Sequence, residues 1–293
     1  QNFILNATIN PDFSQVEVDT QQINLTRFSL FFPEKRDFFL ENATLFRMGD
    51  VPNERGPGTR SEESQLFYSR RIGLSSNGQV LPLLGGARLS GQMDNFSIGL
   101  LNIHQEETVE SSSNNFTVAR LRRNILARSQ IGAIFISREG GNPGDYNRTY
   151  GLDANLLFQQ KFTINTFIAA TQTPGLEGEN VQTKISGKWD DDYWYTQGLF
   201  ADIGTNFNPE VGFVPRRGVR NYQYNLGLKP RTEGDQYIRE FHPNFNIKYF
   251  TDRQNRTLTK SWHYAFEIFF RDGGKFGLSY NTNFERLLLP FRI

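Results

Sequence analysis

Three histidines, His104, His242 and His263, are the only imidazoles in the 293 residues. None falls in the spacing that sets two zinc ligands on one helix face. His263 stands four residues before Glu267, and a hydrolytic site on a strand would have to draw on that pair. No G-x-S-x-G elbow accompanies it, so no catalytic residue is assigned and no cofactor is expected. The chain has no cysteine, which removes thiolate metal sites, thiol nucleophiles and disulfides. Carboxylates gather at Asp190, Asp191 and Asp192, and again at Asp12, Glu17 and Asp19. Grouped oxygens suit Ca²⁺, but the EF-hand spacing is missing. Trp189 and Tyr193 on either side of the three aspartates fit a solvated hairpin tip beside an aromatic girdle.

The basic run Arg120, Arg122, Arg123, Arg128 and Arg138 is joined by Arg70, Arg71 and Arg88. On membrane strands these groups cannot all face lipid, where an arginine at the midplane costs roughly 2–4 kcal/mol. They face a lumen or an interface. A luminal ladder opposite acids such as Asp153 would favour anionic or sugar-like solutes. Alternatively, the charges pair with luminal carboxylates and hold a plug in place.

The elements that position these groups are strands. From Arg148 to Gln159, Tyr150, Leu152, Ala154, Leu156 and Phe158 alternate with Thr149, Gly151, Asp153 and Asn155. The same two-residue period sets Trp262, Tyr264, Phe266, Ile268 and Phe270 against His263, Glu267 and Arg271. It sets Phe276, Leu278 and Tyr280 against Gly277, Ser279 and Asn281. One face is aromatic and the other too polar for a dry core. An oily outside around a wet inside is what a transmembrane β-barrel requires, because a closed sheet satisfies every backbone group within the bilayer. Strand-like segments recur near 2–10, 64–73, 79–92, 95–105, 115–123, 126–138, 148–159, 161–171, 181–189, 193–204, 222–230, 237–251, 260–271 and 275–289, separated by turn signals such as Asp272-Gly273-Gly274. The expected fold is therefore an all-β, antiparallel up-and-down transmembrane barrel of outer-membrane type, whole or part of a larger one. A soluble β-sandwich is the alternative.

Residues 10–49 break the period. Pro33 opens a stretch in which Phe38, Phe39, Asn42, Ala43 and Phe46 have helical spacing. The segment reads as an insert in the lumen or at the periplasmic mouth, with Asp12, Glu17, Asp19, Glu34, Lys35 and Arg36 as plug residues, or else as a long loop. Gly49–Glu63, with Pro52, Gly56, Pro57 and Gly58, reads as an exposed loop.

Composition agrees with one domain over 1–293. With 32 basic and 31 acidic residues the net charge is +1, which gives no field for nucleic acid. Mean hydropathy is −0.54, and no run approaches the roughly 20 apolar residues of a spanning helix. The 27 Phe, 11 Tyr and 3 Trp suit an outer band with aromatic girdles.

Asn10-Pro11-Asp12-Phe13-Ser14-Gln15-Val16-Glu17, Phe31-Phe32-Pro33-Glu34-Lys35-Arg36-Asp37-Phe38-Phe39-Leu40-Glu41, Phe67-Tyr68-Ser69-Arg70-Arg71-Ile72-Gly73 and Asp202-Ile203-Gly204-Thr205-Asn206-Phe207-Asn208-Pro209-Glu210-Val211-Gly212-Phe213 together resemble a family of bacterial envelope proteins common in Bacteroidota. The family pairs an N-terminal domain like a family-nine carbohydrate-binding module with a C-terminal outer-membrane β-barrel domain of unknown function. The resemblance implies that this chain is part of the barrel domain, a fragment of a longer polypeptide. It implies a place in the bacterial outer membrane and, as partners, membrane lipid or lipopolysaccharide with other envelope proteins or saccharides. It carries no catalytic residues. The expected role is a conduit, or an anchor for a periplasmic carbohydrate-binding-like domain. A plugged docking barrel and a barrel-borne hydrolase using His263 and Glu267 are the alternatives.

Overall fold

The computed structural model describes residues 2–11, 30–49, 59–60, 63–75, 80–109 and 111–287. Strands β1 (Asn2–Ile9), β4 (Leu83–Met93), β5 (Phe96–Gln105), β6 (Asn114–Ile125), β7 (Ser129–Gly140), β8 (Tyr146–Phe158), β9 (Phe162–Gln172), β10 (Val181–Asp190), β11 (Trp194–Ile203), β12 (Val219–Leu228), β13 (Ile238–Asp252), β14 (Thr257–Phe270) and β15 (Lys275–Glu285) form one antiparallel sheet in that order. The remaining pair is β2 (Leu30–Phe31) with β3 (Thr59–Arg60). Each strand pairs with its neighbour in sequence from β4 onward, the up-and-down meander expected, and among the described residues helix is confined to α1 (Asp37–Leu40) and two 3₁₀ turns. One meander replaces the two stacked sheets of a sandwich. As described, the sheet is not closed: β1 pairs only with β4 and β15 only with β14.

Two compact units share these strands. The first comprises Gln1–Ala154, Phe167–Gln182 and Gly204–Arg217. Opposite residues of an antiparallel pair share a face, so the registers Leu101↔Val118, Val118↔Ile136 and Ile103↔Phe116 define one buried apolar surface. The alternate residues Leu100, Leu121, Ile131, Tyr150 and Leu152 are exposed on the other. The buried surface carries Leu45, Phe46 and Met48 of the insert. Gly99 leaves room for the first two, since an added Cβ would sit 2.9 Å from Leu45 Cδ2 and 3.0 Å from the Phe46 ring. Gly151 does the same for Met48. The inner face of this unit is therefore not uniformly polar: the insert supplies its own apolar side chains to it, and each one buried contributes about 1.5–3 kcal/mol.

The insert is less regular than its spacing predicts. One turn of helix, Asp37–Leu40, is followed by a 3₁₀ turn at Ala43–Phe46, because Glu41 is extended and Asn42 left-handed (φ 52°), and the two together interrupt the helix. Residues 64–73 form no strand. Gln65 makes a single bridge to Phe213 and Ser69–Arg71 is a 3₁₀ turn. Their partner is the β11–β12 connection, whose Phe207 and Val211 are fully buried. In the expected loop 49–63, Thr59–Arg60 instead pair as β3 with Leu30–Phe31.

The second unit comprises Asn155–Thr166, Thr183–Ile203 and Gly218–Ile293. One face runs Trp194↔Leu228 and, two residues on, Thr196↔Leu226, Gly198↔Tyr224 and Phe200↔Tyr222. Phe245, Tyr264 and Tyr280 continue the second of these rows. Six strand steps from Trp194 to Phe200 give about 20 Å of apolar band, near the ~25 Å of an outer-membrane wall. Charge closes it at both ends: Lys229 reaches Asp190 at 2.8 Å, and Asp202 holds Arg220 at 3.3 Å and Arg253 at 2.7 Å. Phe158, Phe162, Trp189 and Trp194 form a chain of ring contacts beside the first end, with centroids 6.2–6.5 Å apart.

Candidate functional site

Arginines fix the insert. Arg88 of β4 is 2 % exposed, and its Nη1 donates to the carbonyls of Phe38 and, at 2.6 Å, Glu41. Its Nη2 donates to Glu41 Oε2 at 2.6 Å while the guanidinium lies over the Phe38 ring. A one-turn helix leaves its last carbonyls without internal partners, and a cation at that end satisfies them. Arg36 grips Glu34 through Nε (2.8 Å) and Nη2 (2.7 Å) and donates to the carbonyls of Ile72 (2.7 Å) and Ser69 (2.8 Å). Arg70 donates to the Pro33 carbonyl and Arg71 to that of Gly212. The Lys35 amide donates to Glu34.

Arg120 is 2 % exposed and meets Asp153 through two parallel bonds of 2.7 and 2.8 Å. The two residues sit on β6 and β8, with β7 between them. The pair crosses β7 at Gly132, where a Cβ would stand 2.6 Å from Arg120 Nη1 and 2.7 Å from Asp153 Oδ1. The amide of Gly49, at the end of the insert, donates to Asp153 Oδ2 at 3.3 Å. Arg138 anchors a second segment: it bonds Asp145 and Glu210 at 2.6 Å each and Asn114 at 2.9 Å.

The predicted arginine ladder therefore does not form as one row. Arg88, Arg120 and Arg138 face inward and are paired, whereas Arg70 and Arg71 belong to the 3₁₀ turn beneath the insert. Arg123 lies on the opposite face over the Phe96 ring, and Arg128 sits in the β6–β7 turn. Arg122 faces inward, and its Nε is buried with no hydrogen-bond partner among the described residues. Asp12, Glu17 and Asp19 lie outside the described residues.

In the second unit the face opposite the aromatic band is a field of amides. Gln197, Asn225, Asn246, His263 and Asn281 follow one another across β11–β15. His263 Nδ1 contacts Asn281 Oδ1 at 2.6 Å, and Glu267 is paired with Lys275. Four strand steps separate His263 from Glu267 by about 13 Å. The structure does not bring them together as an acid–base pair. Asp190 is engaged by Lys188 and Lys229, while Asp191 accepts the amides of Tyr193 and Trp194 and the Trp189 indole N–H. These backbone bonds hold the Asp191 carboxyl below its usual range. Among the described residues no group of three His, Asp or Glu could hold a metal.

Burial acts on two titratable groups here, Glu34 of the insert and Tyr68 of the segment packed against it. Burial pushes Glu34 up, but hydrogen bonds and charge from Arg36 together with the Ser69 hydroxyl outweigh it and hold the carboxyl below 4.5. Burial pushes the Tyr68 phenol up to about 12, where it donates to the Phe32 carbonyl.

Glu41, Glu210 and Phe213 stand in the resemblance motifs without an assigned role, and Asn147 is given no place in the site either. Asn147, 1 % exposed, donates to Thr173 Oγ1 (2.8 Å) and the Asn208 carbonyl (2.7 Å) and accepts the Glu210 amide at 3.1 Å. The available signal was the stretch 204–213, where Asn, Pro and Gly alternate with buried apolar residues in no strand period.

Over residues 1–127 the chain is similar to a family described as a domain of unknown function, DUF5916. No match was found among curated proteins or solved structures.

Proposed function

We propose that this chain forms the wall of a β-barrel in the bacterial outer membrane, carrying a folded insert on its interior face. The observation that supports this most directly is the second unit's inversion. A band of Trp, Tyr, Phe and Leu about 20 Å tall is exposed between two rows of ion pairs, while Asn, Gln, His and Ser occupy the reverse face. A soluble protein rarely exposes an apolar patch of that extent. The barrel anchors the polypeptide to the membrane, with lipid or lipopolysaccharide against the band. The test is fractionation of the full-length protein: it should partition with outer membranes and migrate differently on gels before and after heating. Recovery in the soluble fraction without detergent overturns the reading.

A second reading, a closed docking barrel rather than an open conduit, is favoured by the buried pairs Arg88–Glu41 and Arg120–Asp153. These tie the insert to the wall at two places. Planar-bilayer recordings separate the two. Conductance in the wild type supports the conduit, and silence that gives way to ion steps in Asp153→Ala supports the closed form.

A further inference from the structure

We propose an oxyanion-binding recess around Arg122 on the buried face of the first unit, taking the carboxylate or phosphate group of a small solute. Its floor follows from register. Gln92, Ser97, Arg122 and Gly132 stand opposite one another across β4, β5, β6 and β7, so their Cβ positions lie about 5 Å apart between adjacent strands. Asn124 and Gln130 form the next row. The set is rich in donors, and the acid beside it, Asp153 over Gly132, is taken up by its paired bonds to Arg120. Among the described residues the insert reaches the row before: Asn42 donates to Ser90 at 3.0 Å, Leu45 and Phe46 cover Gly99, and the Gly49 amide reaches Asp153.

Charge singles out Arg122 on this face. Arg88 is neutralised by Glu41 and Arg120 by Asp153, whereas Arg122 forms no hydrogen bond or ion pair with a carboxylate or carbonyl among the described residues, and the charge of Asp153 near it is already shared with Arg120. Its Nε and the Nε of Arg120 are both buried and unbonded. A half-buried cation with open donors, beside the Ser97 hydroxyl and the Gln92 amide bonded to it (3.4 Å), is a receptor for a planar or tetrahedral oxyanion. A guanidinium binds such groups through two hydrogen bonds in a fixed fork. Gly132 presents no side chain of its own, and the Arg120–Asp153 pair occupies the space above it, forming the inner wall of the recess.

The inference rests on the barrel reading only in directing this face toward water, and the recess binds whether or not the barrel conducts. The test uses full-length protein in detergent and an arginine-selective dicarbonyl reagent, with modification of Arg122 and of the outward Arg123 read by peptide mass spectrometry. Inorganic phosphate or acetate should slow modification of Arg122 by about tenfold, the effect of one charge-assisted contact, and leave Arg123 unchanged. Protection by phosphate alone assigns a phosphate-bearing solute, by acetate alone a carboxylate-bearing one, and by both an oxyanion site of either kind. Ser97→Ala, a variant that removes a single hydroxyl, should weaken the protection. Equal rates with and without both anions, or equal slowing at Arg122 and Arg123, overturns the proposal. Neither result bears on fractionation with outer membranes, so failure of the recess and failure of the barrel reading are distinguishable.

Discussion

Asp153 is the residue on which one edge of the insert depends. Removing it leaves the Arg120 guanidinium buried and uncompensated, which costs about 3–5 kcal/mol. Replacing both partners by apolar side chains of similar size should recover most of the loss. Denaturant unfolding of Asp153→Ala and of Arg120→Met/Asp153→Leu tests this, and a double variant no more stable than the single would refute it. Glu34 gives a pH-dependent counterpart. Its carboxyl is held below 4.5 in the folded state, so the stabilisation is fully present above that value. It is lost as pH falls through the folded value. Exchange of the amides in 31–49 should therefore rise in acid below pH 4.5, and this rise should vanish in Glu34→Gln.

At the scale of elements, strand periodicity was legible because apolar and polar residues alternate along the strands, even in β15, which is exposed on both faces. The segments around 148–159, 260–271 and 275–289 appear as β8, β14 and β15. Segment 64–73 misled because its apolar residues pack in a loop: Leu66 and Ile72 are buried beneath the insert without forming a ladder. A period-2 pattern cannot tell a strand from an irregular segment whose side chains happen to alternate between core and solvent. The site was less legible still. The arginines were recognised, but the partners Glu41 and Glu210 are carried by connections, and nothing local marks which acid a long loop will deliver. The β11–β12 connection is nevertheless held by strand residues, Arg138, Thr171 and the deeply buried Asn147. Asn147→Ala strands the Glu210 amide and the Thr173 hydroxyl without their buried partner, at about 1–3 kcal/mol. Proteolysis should then cut within 204–217 before any strand hairpin opens. Unchanged protection of that connection would show that Asn147 does not hold it.

For the molecule as a whole, the first unit carries an asymmetry that fixes a direction. Its connections alternate in length: two residues join β4 to β5 and three join β6 to β7, whereas eight join β5 to β6, five join β7 to β8 and eight join β9 to β10. Outer-membrane barrels place short turns in the periplasm and long loops outside. On the barrel reading, Asp94-Asn95 and residues 126–128 face the periplasm, while residues 106–113, 141–145 and 173–180 face the exterior. The second inserted segment follows the long loops, since Glu210 is bonded to Arg138 and Asn147 near the ends of β7 and β8 that carry the 141–145 loop. The chain has no cysteine, so single cysteines report on topology without background. In intact cells, a membrane-impermeant maleimide should label Asn142→Cys and Glu177→Cys, both exposed on the long loops. It should leave Asn95→Cys unlabelled until the outer membrane is permeabilised. The reverse pattern would invert the orientation, and labelling of all three in intact cells would remove the membrane between them.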